Sequence, residues 1–304
     1  MIKDFYYPSC GAGKIRARYW QPDMEPCGVV QIVHGIAEHI ERYNDFAAYL
    51  NAAGYLVVAQ DHMGHGKSAD STPERGYFYG GWFSAVDDTY QLLSDTIKNY
   101  PNIPYVLFGH SMGSFIVRSI LARYPQSGIA GCIICGTAWM PNAVISMGKS
   151  TAQMVCKLGG DKKSSNLLQK LMFGNYNNRI EHQRTEFDWL TRDSKVVDAY
   201  VADQSCGFIA SAGLAHSMLS GIQYIQKPDT LSSMDPKLPV LFVAGDADPV
   251  GNYGTGVKQA VAAFRSAGMQ HVSSKLYPLC RHEILNELNK DEVYRDILNW
   301  ISNI

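Results

Sequence analysis

Apolar residues in this chain fall into short unbroken runs, separated by longer stretches in which they recur at helical spacing. Val29-Val30-Gln31-Ile32-Val33 is a β-branched run that ends at His34-Gly35. Over residues 42–53, Phe46, Tyr49, Leu50 and Ala53 repeat as on one face of a helix, and Gly54 sits where a C-terminal cap belongs. Tyr55-Leu56-Val57-Val58-Ala59 reads as a second buried strand. Past a polar, glycine-containing loop, residues 82–98 read as a helix closed by Pro101. A third strand over 105–108, a helix over 112–124 and a fourth strand over 130–135 follow. Alternation of this kind implies crossover connections, hence a mostly parallel sheet with helices on both faces.

The next strand, Val240-Leu241-Phe242-Val243-Ala244, comes about a hundred residues later, whereas a whole βαβ unit takes roughly 30. The excess carries Trp139, Met147, Met154, Leu171, Phe173, Trp189 and Phe208, too apolar for a linker, so 137–235 reads as a mostly helical insertion. The regular pattern resumes with a helix over 256–267, a strand over 273–279 and a helix over 291–302. The expected organisation is a core of residues 1–136 and 236–304, with 137–235 forming a cap over it.

Composition narrows the function classes. The 304 residues are 46% hydrophobic, enough for a sizeable core. The 27 basic and 28 acidic residues leave a net charge of −1, without the clustered cationic surplus that nucleic-acid binding needs. Met1 to Tyr7 lack the apolar stretch of a secretory signal, and no run approaches the roughly 18 residues of a bilayer span. The seven cysteines are odd in number and scattered, unlike a disulfide framework. A reduced, cytoplasmic protein is expected.

The chemistry begins at Gly109-His110-Ser111-Met112-Gly113, which directly follows a strand and opens a helix. A G-x-S-x-G sequence in that context puts Ser on a sharp turn at the carboxyl edge of the sheet, where its hydroxyl is exposed. A hydroxyl needs a base, and downstream of Ser111 the histidines are His182, His216, His271 and His282. The first two lie in the insertion and His271 precedes the last strand. His282 follows that strand, where a loop can carry it over the sheet edge. An acid that orients the base should follow strand 240–244, and Gly245-Asp246-Ala247-Asp248-Pro249 offers both Asp246 and Asp248.

These blocks, with His34-Gly35-Ile36-Ala37-Glu38-His39, Arg42-Tyr43 and Asp61-His62-Met63-Gly64-His65-Gly66-Lys67-Ser68, resemble the monoglyceride lipase and lysophospholipase group of α/β-hydrolases, which includes serine aminopeptidase-like members. Order and spacing match over nearly the whole chain, least well in the insertion, which corresponds to the family's cap. The resemblance implies the α/β-hydrolase fold, with Ser111 as nucleophile, His282 as general base and Asp248 as the acid, last in its Gly-x-x-Asp block. It implies an oxyanion hole from the backbone N–H groups of Ile36 and Met112, and a substrate lined by His34, Gly35, Glu38, Arg42 and His110. Glu38 and Arg42 equally fit an i,i+4 ion pair at a helix start. Three residues after His282, where monoglyceride lipases can carry a polar His, stands Leu285, which offers a hydroxyl no hydrogen bond.

Some patterns carry no function on this reading. Asp61 to Ser68 ends like a phosphate-binding loop but opens on a carboxylate in place of Gly. Cys132 and Cys135 have zinc-like spacing but lie in an apolar strand without a second pair. His62 and His65 need no metal, since the family-like loop accounts for them. The expectation is therefore a cofactor-free serine hydrolase of monoacyl lipid esters, with a Met- and aromatic-rich cap that touches membranes. The alternatives are a short-chain or aromatic esterase, an aminopeptidase on the same triad, and a non-catalytic binding scaffold.

Overall fold

The computed structural model describes residues 1–71 and 75–304. Its centre is an eight-stranded sheet in the order β1-β2-β4-β3-β5-β6-β7-β8. The strands are β1 (Ile2–Pro8), β2 (Lys14–Trp20), β3 (Gly28–Val33), β4 (Tyr55–Gln60), β5 (Tyr105–His110), β6 (Gly131–Cys135), β7 (Val240–Gly245) and β8 (Val272–Tyr277). From β4 to β8 all neighbours run parallel, while β1–β2 and β2–β4 are antiparallel. The hairpin β1–β2 was absent from the pattern reading. Asp4, Arg16 and Arg18 interrupt its apolar positions, and their charges are satisfied by pairing with one another, with Glu41 across the edge of the sheet and, for Arg16, with Asp61.

Core helices are α1 (Asn44–Ala52), α2 (Trp82–Asn99) and α3 (Met112–Arg123). Between β6 and β7 come α4 (Asn142–Gly159), α5 (Asn166–Phe173), α6 (Ser194–Ala202), α7 (Ala212–Ile225) and α8 (Pro228–Ser232), and the chain ends with α9 (Thr255–Ser266) and α10 (Lys290–Ile301). Strand alternation splits the buried side chains between two faces. Val29, Val33, Leu107 and Ile134 pack with Ile116 and Ile120 of α3 and Phe264 of α9. Val30, Ile32, Val106 and Ile133 pack with Phe46 of α1 and Ile297 of α10. Cys132 belongs to the first face and Cys135 to the second, so the two thiols point away from each other and cannot share a metal.

Strand order reverses direction about β3, because β4 lies on one side of it and β5 on the other. In open α/β sheets the crevice at such a switch point, beyond the carboxyl ends of the strands, is where ligands bind. Val33 pairs with Gly109, so the turn after β3 and the turn after β5 emerge side by side. Of the inserted helices, α7 joins the main core through Leu214, Met218, Leu219 and Ile222, whereas α4 and α5 form a smaller cluster with it around Ala152 and Leu168.

Candidate active site

Ser111 terminates β5 with φ 53° and ψ −121°, a conformation that L residues seldom adopt and that costs of order 1–3 kcal/mol. The turn is sharp because α3 starts at the next residue and crosses close over β3. A Cβ on Gly113 would lie 2.0 Å from the Val33 carbonyl oxygen, so only glycine permits that approach. The Ser111 N–H donates to Cys135 O at 3.0 Å, which ties the turn to β6. The first N–H groups of a helix have no intrahelical acceptor, and Met112 is the first residue of α3.

The loops after β7 and β8 bring Asp248 and His282 together. His282 Nδ1 lies 3.0 Å from Asp248 Oδ2, and Asp248 Oδ1 accepts the Val250 N–H at 2.8 Å. Both residues are buried. With Nδ1–H directed at the carboxylate, Nε2 is left with its lone pair. Asp246 faces the other way: its Oδ1 accepts the Leu279 N–H at 2.7 Å and clamps the two loops together. A second clamp comes from the inserted segment, where Leu190 O accepts the Glu283 N–H at 2.7 Å and the Trp189 ring lies 5.1 Å from the His282 ring.

The turn after β3 is held by Glu38. Its Oε1 accepts the Gly35 N–H at 2.6 Å, the Tyr43 hydroxyl at 3.0 Å and His110 Nδ1–H at 3.1 Å. Oε2 accepts from Arg42 Nη1 at 2.9 Å. Burial would raise the Glu38 carboxyl, but His110 and Arg42 outweigh it and hold it well below the usual carboxylate range. Burial likewise lowers His110, and Glu38 more than reverses this, leaving the imidazole above its ordinary value. Behind the turn, His34 Nε2 accepts the His62 N–H at 3.0 Å while His62 Nε2–H donates to His34 O at 3.1 Å. Burial pushes His34 well below its ordinary pKa, His62 down to about 3 and His65 down to about 4, so all are neutral near pH 7.

These residues open on a cavity of about 570 Å³. Ser111, His282, Glu38, His110, Gly35 and Ile36 line its floor, and Phe173, Phe187, Trp189, Leu190, Phe208 and Ile209 line its walls. Asn166, Gln169, Asn177, Asn178 and Gln183 add amide side chains. His34 and Arg42 do not reach the cavity: His34 is buried against His62, and Arg42 is engaged by Glu38 and Glu283. Leu285 is buried in the second core cluster, away from the cavity. The Asp61 carboxylate accepts from Arg16, Ile40 N–H and Lys67 N–H, a structural role within the family-like loop.

Sequence reading passed over several residues that act here. Tyr200 of α6 donates its hydroxyl to Ala37 O at 2.8 Å, and the Gly207 N–H donates to the same oxygen at 2.9 Å. His39 Nε2–H donates to Asp203 Oδ2 at 2.8 Å. Glu283 forms a fork with Arg42 at 2.6 Å on both arms. No spacing rule connects residues 37–42 with 200–207 or 283, and their only signal was a charge adjoining His282. Among the described residues, His39, Asp203 and Cys206 are the one group of three metal-capable side chains with ligating atoms within 4.8 Å. Burial pushes the Cys206 thiol up, and His39 and Asp203 already satisfy each other.

The model of the family described as serine aminopeptidase, S33, matches residues 24–289. A monoacylglycerol lipase of Mycolicibacterium smegmatis is 32% identical over 298 residues, covering 96% of this chain and 94% of that one. The human monoglyceride lipase is 28% identical, covering 94% of this chain and 86% of its own length. The crystal structure of a thermostable carboxyl esterase from Bacillus coagulans in complex with glycerol superimposes with a TM-score of 0.92. It is 31% identical and covers 100% of this chain and 98% of that one. With a match of this extent and a sheet of this order, the chain belongs to the serine aminopeptidase, S33, family of α/β-hydrolases and is a serine ester hydrolase similar to the monoglyceride lipases.

Proposed function

We propose that this protein hydrolyses monoacyl lipid esters, monoacylglycerols or lysophospholipids, through an acyl-enzyme on Ser111. The observation that carries the reading is one cavity that joins Ser111 and His282 to a wall of Phe173, Phe187, Trp189, Leu190, Phe208 and Ile209. Its volume of about 570 Å³ lies within the range of drug-sized ligand sites and matches a single acyl chain with a small head group.

In this mechanism Ser111 Oγ attacks the ester carbonyl carbon while His282 Nε2 takes the hydroxyl proton. Asp248 stabilises the imidazolium through Nδ1–H. The negative oxygen of the tetrahedral intermediate accepts hydrogen bonds from the Ile36 and Met112 amides, and a donor of this kind contributes about 3 kcal/mol. The intermediate collapses, the C–O bond breaks, and His282 returns its proton to the leaving alcohol. Water then attacks the acyl-enzyme, again deprotonated by His282, and releases the fatty acid and free Ser111. Gly35, Glu38 and His110 shape the alcohol side directly, and His34 and Arg42 hold it from behind. No metal or organic cofactor takes part.

The segment 137–235 acts as the cap on the core of 1–136 and 236–304. Met147, Met154 and Leu158 of α4 and Leu167 and Leu171 of α5 are exposed large apolar side chains, among Lys149, Lys157 and Lys170. We assign this face to peripheral contact with a lipid surface, from a cytoplasmic location. Among the described residues no helix is long and apolar enough to cross a membrane. Co-sedimentation with anionic liposomes tests the contact, and a protein that stays in the supernatant rules it out.

Of the carboxylates that line the cavity, Glu38 and Glu283 are engaged by Arg42, His110, Tyr43 and Gly35, so neither is free to hold the substrate ammonium of an aminopeptidase, whereas Glu186 at the cavity wall is exposed. The experiment is hydrolysis of p-nitrophenyl esters of increasing chain length with Ser111→Ala in parallel, followed by monoacylglycerols and lysophosphatidylcholine. A Ser111-dependent rate peaking at medium or long chains is expected. Activity confined to the shortest esters sinks the lipid reading, and loss of Ser111 dependence leaves a binding scaffold.

A further inference from the structure

Arg118 lies on α3 about two turns beyond Ser111, with its side chain fully buried. Its Nη1 donates to Thr137 Oγ1 at 3.2 Å and to Ala138 O at 3.0 Å, where the chain leaves β6 for the inserted helices. The guanidinium carbon is 5.7 Å from the ring centroids of both Trp139 and Phe264. Nε and Nη2 have no acceptor among the described residues. Burial alone acts on its ionisation, pushing it down to about 9 with no carboxylate to restore it, so it remains a cation near pH 7.

Other arginines drawn into the interior or its margin are treated differently. Arg16 meets Asp4, Glu41 and Asp61, and Arg42 meets Glu38 and Glu283. In a guanidinium, Nε–H and one Nη2–H project in parallel from one edge, the fork that grips carboxylates and phosphates at two points. Arg118 presents that edge, unpaired, inside the protein. Two aromatic faces offset part of the charge but carry none of their own. A neutral acceptor would satisfy the N–H groups and leave the buried charge uncompensated.

We propose that Arg118 binds a small monovalent anion, chloride, between Nε–H and Nη2–H at the root of the inserted helices. A small ion is proposed because the fork belongs to a fully buried side chain flanked by the Trp139 and Phe264 rings. By neutralising the guanidinium that grips Thr137 and Ala138, the anion fastens the exit of β6 to the helix that carries Ser111. Gln226 reinforces the same root from the far end, accepting from Met140 N–H at 2.9 Å and donating to Met140 O at 2.8 Å. The site is independent of the proposed substrate class.

Two measurements on the full chain test this. The thermal midpoint of the wild type is followed in sodium chloride and in sodium gluconate at matched ionic strength, beside Arg118→Met. The expected result is a midpoint that rises about 2 °C for each tenfold increase in chloride above its Kd, with no such dependence in R118M. Wild-type crystals grown in sodium bromide should show an anomalous peak in contact with Nε and Nη2, and this arm decides alone if R118M does not fold. Water or nothing at the fork in bromide overturns the proposal, as does an equal chloride response in wild type and R118M. A bromide peak with a chloride-insensitive midpoint marks binding at crystal concentration only, and also overturns it.

Discussion

Arg42 and Glu283 grip each other through two contacts of 2.6 Å, joining the turn after β3 to the loop that carries His282. Glu283 is buried and Arg42 half-buried, and Arg42 also reaches Glu38, whose other oxygen holds the Gly35 N–H. The relative positions of the proposed oxyanion donor and the proposed base thus pass through one cation.

Arg42→Met leaves Glu38 and Glu283 without their shared cation and should lower stability by about 3–5 kcal/mol, whereas Glu283→Leu leaves Arg42 on Glu38 and should cost less, and the double variant should lose less than the sum of the two. Urea unfolding of all four proteins checks this, and simple additivity would show that the pair is not coupled.

Asp248 and Asp246 differ in what their oxygens meet, so the same substitution should separate them. Asp248→Asn should lower kcat on the order of 10⁴-fold by upsetting the His282 tautomer. Asp246→Asn keeps an oxygen for the Leu279 N–H and should leave kcat within about threefold. Comparable losses in the two variants, measured on one p-nitrophenyl ester, would remove Asp248 from the triad.

Tyr200→Phe removes one of two hydrogen bonds to Ala37 O, on a residue whose φ is 54°. That oxygen belongs to the residue after Ile36, so kcat should fall about tenfold while KM stays within twofold. A change confined to KM would place Tyr200 in substrate binding only.

His34, His62 and His65 are held neutral by burial, below their unfolded value of 6.5. The unfolded chain therefore binds more protons as the pH falls. Their contribution to stability is present above about 6.5 and is lost as the pH descends towards 4 and 3, by up to about 1.4 kcal/mol per unit for each histidine. His110, raised by Glu38, works in the opposite sense: its contribution is present below 6.5 and fades as the pH rises through its folded value. Three groups against one predict a net decline between pH 6.5 and 5, before the carboxylates titrate. Urea midpoints across that interval test the sign, and a flat or rising profile contradicts it.

The strand–helix alternation of the core, the Ser111 turn and the candidate positions of acid and base were all legible in the chain. Each rests on local rules: apolar periodicity, glycine beside a strained turn, and chain order after the last strands. The acid was narrower in sequence than its chemistry allowed, since Asp246 and Asp248 are alike as turn residues. Only the fold turns one towards His282 and the other towards Leu279.

What tertiary structure decided lies wherever partners are far apart in sequence. The hairpin β1–β2 escaped the reading because its charged residues break the apolar pattern and find their partners only in the folded sheet. Arg42 with Glu283, Tyr200 with Ala37 and His39 with Asp203 are contacts across 160 residues or more. Local periodicity determines which face a side chain occupies. It carries no information about which distant loop will arrive to satisfy that side chain, because long-range pairing is settled by packing of the whole core.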